Sequence, residues 1–468
     1  MRLAWFSPWP PQRSGVAGRS AELVPILAAR GYAIDVFVDA SRLKLPQLGD
    51  EPPEPGRVRV MTAHDFVWRH RRYPYDLPVY QIGNSHLHRF AWAYLFRYPG
   101  LPVLHDARLH HARAEALVTR GRVRDYRAEF AWNHPDVPPA AAEFAALGLG
   151  DILYYQWPMI RGVVESARLL AAHSRGVVSW LTRQFPDRPI EHIALGEGAA
   201  NLDGAAAGAA FRAAHRIPPD AVVYGVHGGL TAEKHVREVV AAFADIRPAV
   251  PGAHLLLVGA ADPWLDLEDQ IASLGLNAAV SRIVTADDET FDRSMAACDI
   301  TLNLRWPTAL ETSGPWVRSL AMGRATVIID TAHQAHVPSL DPRTWRRHAP
   351  SSAVTEEDDR RGVTVALDLH DRQFSLRLAM TRLGTDAALR DAIGSEARRW
   401  WEREHTVERM AADYERAMAR AVREPAPTGA GWPSHMRPDP AAHTRALVEA
   451  SRVDGGLIAD RLAGFDFP

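Results

Sequence analysis

A chain of 468 residues is too long for one hydrophobic core and suits two domains of ordinary size. Apolar residues make up 47%, enough for packed interiors, and a formal net charge of −2 gives no global attraction to nucleic acid or anionic lipid. The single cysteine, Cys298, excludes an intramolecular disulfide and a cysteine-built zinc site, and fits a reducing cytoplasm.

The first residues, MRLAWFSPWPPQRSG, carry no apolar h-region and read as a strand entering a loop rather than a signal peptide. No run of 18 apolar residues predicts a membrane-spanning helix. Hydrophobic spacing predicts strands at 2–6, 34–38, 58–61, 79–82 and 101–104. It predicts helices at 20–30, closed by Gly31, and at 86–97 and 161–172. The basic run Trp68-Arg69-His70-Arg71-Arg72 reads as a solvated face or as a peripheral membrane contact. The stretch 120–160, containing RDYRAEFAWNHPDVPPAAAEF, has no legible role beyond Trp and Tyr residues suited to lining an acceptor site.

The alternation then restarts. Strands are predicted at 222–226, 254–258, 283–285, 300–304 and 325–329, with helices at 236–246, 265–274 and 291–297 and another starting near 312. Such alternation implies parallel sheets with helices on both faces, hence two Rossmann-like doubly wound domains. The small-residue stretch AANLDGAAAGAA, 199–210, reads as the linker between a domain at 1–198 and a domain at 211–400. Residues 401–468 are assigned to C-terminal helices and a tail packing back on the first domain. Helices are expected at 376–398, 406–422 and 441–462, and the Pro/Gly-rich tail after 423 carries no legible chemistry.

In open α/β sheets ligands collect at the carboxyl ends of the strands, and four loops there stand out. Ser14-Gly15-Val16-Ala17 follows the first strand; a glycine at a helix start lets backbone N–H groups approach a phosphate, although an ordinary turn explains it as well. There is no GxGxxG. Gly228 and Gly229 precede Lys234, a compact cation suited to phosphate, in a segment that is not a Walker A sequence; a helix-start loop with a solvated lysine is the plain alternative. His105 and Asp106 end a strand and are suited to hydroxyl binding or proton transfer, while His110 and His111 follow at a spacing that fits no metal cage. Finally, Arg305 and Glu311 precede Thr312, Ser313 and Gly314. Either hydroxyl can cap the next helix, and a plain cap leaves Glu311 unexplained. A carboxylate beside a helix N-terminus suits a sugar held with its diphosphate.

The order of these pieces resembles the retaining GT-B glycosyltransferases of glycosyltransferase family 4. The similar segments are PQRSGVAGRSAELVPILAARGY, VLHDARLHH, LLAAHSRGVVSWLTRQF, GVHGGLTAEK, NLRWPTALETSG and WEREHTVERMAADY, spread over about residues 1 to 420. The resemblance implies the GT-B fold, two Rossmann-like domains facing a cleft, and a nucleoside diphosphate sugar as donor substrate. It implies that Gly15 and Lys234 meet the diphosphate with help from Arg305, that Val16, Gly228 and Gly229 also contact the substrate, that Glu311 meets the sugar hydroxyls, and that the amides of Thr312, Ser313 and Gly314 lie near phosphate or sugar. His105, beside Asp106, would line the sugar pocket, and Lys234, Glu311 and His105 would be the catalytic set. The family often carries a second glutamate that grips the nucleotide ribose; here Ser319 stands at that position, a neutral and shorter group expected to hydrogen-bond the ribose in its place.

The implied reaction moves a glycosyl group to an acceptor hydroxyl with retention of configuration, without cofactor. Asp287 and Asp288 are adjacent rather than spaced as Asp-x-Asp, so metal independence is expected. A nucleotide-sugar epimerase or a non-catalytic sugar-nucleotide-binding protein would use the same fold. A pyridoxal phosphate phosphorylase needs a Schiff-base lysine, and Lys44 and Lys234 are the only lysines. The acceptor, whether saccharide, lipid-linked or small molecule, is not legible, and no nucleic-acid partner is expected.

Overall fold

A computed structural model describes residues 1–12, 14–39, 51–198, 204–284, 287–348 and 356–437. The predicted helix at 441–462, Thr285 and residues 199–203 lie outside them.

The first lobe holds strands β1 (Arg2–Phe6), β2 (Ala33–Val38), β3 (Val58–Thr62), β4 (Leu77–Ile82), β5 (Leu101–Leu104), β6 (Leu170–Ala172) and β7 (Ile190–His192). They form one sheet in the order β3-β2-β1-β4-β5-β6-β7, every pair parallel. The second lobe holds β8 (Val223–His227), β9 (His254–Val258), β10 (Val280–Ile283), β11 (Ile300–Leu302), β12 (Ala325–Ile329), β13 (Ser339–Leu340) and β14 (Thr364–Leu367). Its order is β10-β9-β8-β11-β12-β14-β13, again all parallel. Inner strands such as β2, β4 and β9 are buried on both faces, as parallel strands covered by helices must be, which is why they read as unbroken apolar runs, whereas the edge strands β3, β7 and β10 are only partly buried. Strand order reverses beside β1 in the first sheet and beside β8 in the second. The loops after β1, β8 and β11 therefore leave the sheets where ligands of open α/β folds gather.

Several elements differ from the sequence expectation. The predicted helix at 161–172 is a short helix, Arg161–Ser166, followed by β6; a four-residue apolar run carries no period that separates strand from helix. The predicted linker is helical from Gly204 to Ala214, with Phe211 packed on Val223 and Cys298, because alanine is the strongest helix former. Residues 372–404 form two helices, Arg372–Thr385 and Ala387–Glu404, broken where Asp386 caps the second by accepting from Leu389 N at 3.0 Å. In the basic run, Arg69 is buried against the Asp35 carboxylate at 3.6 Å, so that segment is not a uniformly solvated face.

The chain crosses between lobes twice, and the crossings are tied together. Glu197 N donates to His405 O at 2.9 Å, and Trp401 Nε1 donates to Glu197 O at 3.2 Å. Helix Ala387–Glu404 packs on the second lobe, Trp401 against Trp316 and Leu320. Helix Val407–Ala421 packs on the first, Met410, Tyr414 and Met418 against Leu3, Trp5 and Leu27. Further along, Trp432 and Met436 also pack on the first lobe.

Candidate functional site

The loop after β8 explains its own glycines. Gly228 sits at φ +85°, and a Cβ there would lie 2.8 Å from Lys234 Nζ and 3.6 Å from Pro315. Only glycine lets the lysine and the next helix come this close. Lys234 is 9% exposed and its Nζ donates to His227 O at 2.5 Å. Burial pushes its pKa down to about 7; the charge of Arg305 pushes the same way and that of Glu311 opposes it. Lys234, Arg305 and Glu311 thus feel one another across two loops. Gly229 is exposed, with only Thr231 Cγ2, at 3.9 Å, near the place a Cβ would take.

The loop after β11 is tightly fixed. Arg305 Nε lies 2.6 Å from Glu311 Oε1, and Thr308 Oγ1 donates to Glu311 Oε2 at 2.8 Å. Leu310 between them has φ +63°, a left-handed conformation costing on the order of 1–3 kcal/mol for such a residue. The first lobe holds the strained turn in place. Ala107 N and Arg108 N both donate to Ala309 O, at 2.8 and 3.1 Å, and Arg108 Nη1 donates to Thr308 O at 2.8 Å. Ser313 caps helix Gly314–Ala321, its hydroxyl accepting from Trp316 N at 3.4 Å; Thr312 Oγ1 donates to His173 O in the first lobe at 3.3 Å. The two hydroxyls therefore have a cap and a bridge between lobes as local roles; Pro315 has no N–H and Ser313 takes that of Trp316, so the N–H of Gly314, with those of Thr312 and Ser313 before it, is what the helix start offers an anion.

The first lobe supplies the opposite wall. Ser14 caps helix Gly15–Ala29 by accepting from Ala17 N at 3.1 Å; Gly15 is exposed with nothing within 4 Å of its missing side chain, and Val16 is half-buried beside it. One turn on, Arg19 reaches across: a Cβ on Gly314 would lie 2.6 Å from its Nη2. The starts of two helices from two lobes therefore meet at Arg19. Asp106 Oδ2 accepts from Asn84 N at 2.6 Å, and burial first, then the charge of Glu311, raises the Asp106 pKa to about 7. His105 Nε2 lies 2.7 Å from the Gln81 side-chain amide, which fixes the orientation of the ring. Burial, His173 and His88 hold His105 neutral, far below the usual histidine range.

The structure thus brings together Lys234, Arg305, Glu311, Asp106, Gly228 and the start of helix Gly314–Ala321, with His105 next to Asp106 and with Arg19, four residues beyond Gly15, reaching Gly314. Ser319 does not join them. It is 0% exposed, and its hydroxyl donates to Pro315 O at 2.8 Å with Met295 Sδ behind it, because position 319 falls on the core face of the helix. The expected ribose contact is corrected accordingly. His110 Nε2 meets Tyr126 OH at 2.8 Å and His111 stacks on Tyr154, so both serve the 120–160 insertion. Asp287 caps a helix, accepting from Thr290 N at 2.7 Å. Among the described residues no group of three His, Cys, Asp or Glu is placed to hold a metal ion.

Three features escaped sequence reasoning. Arg19 lies 2.6 Å from Glu197 Oε2, and Glu197 also holds Arg318 at 2.5 Å, which in turn meets Asp292 at 3.1 Å. This chain of charges ties the first lobe, the crossover and the second lobe. Tyr155, from the insertion, donates its hydroxyl to Glu233 at 3.0 Å, one residue before Lys234. Arg108 reaches the Glu311 loop. Only Arg19 had a readable signal, its place one helical turn beyond the Gly15 loop.

No protein-family model matches the chain, and no curated protein matches it. Among solved structures it is similar to sucrose-phosphate synthase from Thermosynechococcus elongatus, with 16% identity over 90% of this chain and 98% of that one and a TM-score of 0.62. It is similar to HepE from Anabaena in complex with UDP, at 15% identity, 90% and 100% coverage and a TM-score of 0.56. It is also similar to the catalytic domain of starch synthase IV from Arabidopsis thaliana bound to ADP and acarbose, at 12% identity, 90% and 99% coverage and a TM-score of 0.54. At these identities the likeness is one of fold, and the fold is that of the GT-B glycosyltransferases, two Rossmann-like domains. Among the described residues no helix is long and apolar enough to cross a membrane.

Proposed function

We infer that the chain is a glycosyltransferase that moves a sugar from a nucleoside diphosphate sugar to an acceptor hydroxyl with retention of configuration, as the family 4 enzymes it resembles do. The observation that carries this reading is the convergence of Lys234, Arg305 and Glu311 with the start of helix Gly314–Ala321, opposite Arg19 and Gly15 of the other lobe. Two fixed cations and a helix N-terminus suit a diphosphate, and the adjacent carboxylate suits the hydroxyls of the sugar it carries. The neighbours of like fold crystallised with UDP or ADP agree with such a donor.

In the reaction the bond between C1 of the sugar and the diphosphate oxygen breaks, and its electrons go to that oxygen. Lys234, Arg305 and the amides of Thr312, Ser313 and Gly314 stabilise the charge that develops there. The acceptor oxygen attacks from the same face, and its proton passes to the departing phosphate oxygen, so no separate base is required. Neutral His105 would orient a sugar hydroxyl, and Glu311 would grip another. The reading needs neither a cofactor nor a divalent metal, since the cationic side chains take the part of an ion.

Release of nucleoside diphosphate from UDP-, ADP- and GDP-sugars without acceptor tests it. Lys234→Ala and Glu311→Ala are each expected to lower that release by roughly 100- to 1000-fold. Chelator leaves the wild-type rate unchanged, and NMR of a glycoside formed on an added acceptor alcohol finds the donor's anomeric configuration. Full release by both variants, or an inverted product, overturns the assignment.

A further inference from the structure

A cavity of about 550 Å³ lies beside the Glu311 loop, between the lobes, large enough for a mono- or disaccharide. Its walls carry three arginines, Arg108, Arg161 and Arg183, and no acidic side chain, with Trp180 and Phe185 as an aromatic floor. It adjoins the candidate donor site through two residues. Leu310, in its wall, precedes Glu311; His333, also in its wall, places Nε2 3.3 Å from Glu311 O. The arginines are not equivalent. Arg161 is already paired with Glu165 at 2.6 Å and donates to Trp132 O, and Arg108 donates to Thr308 O. Arg183 is exposed and has no hydrogen-bond or ion-pair partner among the described residues.

We propose that this cavity is the acceptor site and that the acceptor is a saccharide bearing an anionic group, phosphate or carboxylate, held by Arg183. The proposal rests on the glycosyltransferase reading. Arg108 and Arg183, neither paired with a carboxylate among the described residues, face a space with no acidic side chain in its walls, which makes it favourable for an anion and unfavourable for a cation. A guanidinium fork with no internal partner is the group that matches phosphate or carboxylate geometry. The Trp180 indole offers an apolar face against which a sugar ring packs. A ring seated there with its anion on Arg183 lies alongside Glu311, where the donor sugar would be.

The full chain is assayed for transfer to glucose 6-phosphate, glucuronate and glucose, and for calorimetric binding of the same three and of inorganic phosphate. A charged saccharide is expected to have a KM about 10-fold or more below that of glucose, whichever of the two anions wins. Arg183→Ala brings that ratio close to one, and Arg183→Lys retains part of it. Glucose as good as both charged sugars, discrimination intact in Arg183→Ala, or inorganic phosphate binding as tightly as glucose 6-phosphate overturns the proposal. Acceptor-free donor hydrolysis by the wild type separates the two readings. Hydrolysis without anion preference ends the acceptor proposal alone, whereas no donor hydrolysis ends the glycosyltransferase reading beneath it.

Discussion

Lys234 is held where a lysine is poorly solvated. Its ammonium has one carbonyl partner, and burial lowers its pKa from 10.5 to about 7, with Arg305 adding to the shift. A lysine depressed in the folded state contributes fully to stability above its unfolded pKa and loses that contribution as pH falls from about 10.5 towards 7. At neutral pH the charge is therefore a burden on the fold, of the kind functional sites carry. Lys234→Met, which fills similar volume without a charge, is expected to raise Tm at pH 7, by roughly 2–4 °C for each kcal/mol recovered. The advantage shrinks at pH 10, where the wild type regains its own stability. Differential scanning calorimetry at both pH values reads this. A lowered Tm at pH 7 would mean that the ammonium serves chiefly to satisfy His227 O. The same residue-scale logic separates Glu311 from Ser319. Both are visible in the sequence, yet the side chain of one meets Arg305 at the lobe gap and the other points into the core. Residue type and spacing alone did not tell those orientations apart.

At the scale of elements, long amphipathic helices were legible, as were the short strands β5 and β11, but β6, β7 and β13 were not. Helix Val407–Ala421 buries Val407, Met410, Ala411, Tyr414, Ala417, Met418 and Ala421, a spacing of three and four that marks one helical face. Strands β6 and β7 have three residues each, β13 has two, and none carries a period that distinguishes it from its surroundings. The charge chain from Arg19 through Glu197 to Arg318 spans 178 and 121 positions, so nothing local announces it. Helix Val407–Ala421 anchors the returning chain, and Met410 is its pivot, with its sulfur 3.2 Å from Gly196 N at the first crossover. Met410→Ala is expected to cost about 2–5 kcal/mol in urea unfolding. Glu408→Gln, on the exposed face of the same helix, should cost under about 1 kcal/mol. Equal effects would mean that the helix is not seated on the first lobe as described.

For the whole molecule, the seam between lobes is rich in histidine. His173, His192, His336 and His405 line one small cavity of about 20 Å³ with Thr312, Trp316 and Trp400. Burial pushes His173 down to about 3 and His336 and His405 down to about 4, with Arg175 adding to the shift at His336. A histidine whose folded pKa is depressed leaves stability intact above its unfolded value of about 6.5. It withdraws that stability as pH falls below it, because the unfolded chain then takes a proton the folded one refuses. Each such group lowers the folded-to-unfolded ratio about tenfold per pH unit between roughly 6 and its folded pKa. Asp106, raised to about 7, works in the opposite sense, gaining stability as pH falls from 7 towards 4, but His88 and His134, pushed down to about 4, and His110 and His227, pushed down to about 3, act with the three at the seam. The urea midpoint is therefore expected to drop steeply between pH 6.5 and 4.5. His336→Gln should remove close to one proton from that slope. A midpoint flat over this range would mean that the seam histidines are protonated in the folded protein, and the closed arrangement of the two lobes around Thr312 and Trp316 would have to be redrawn.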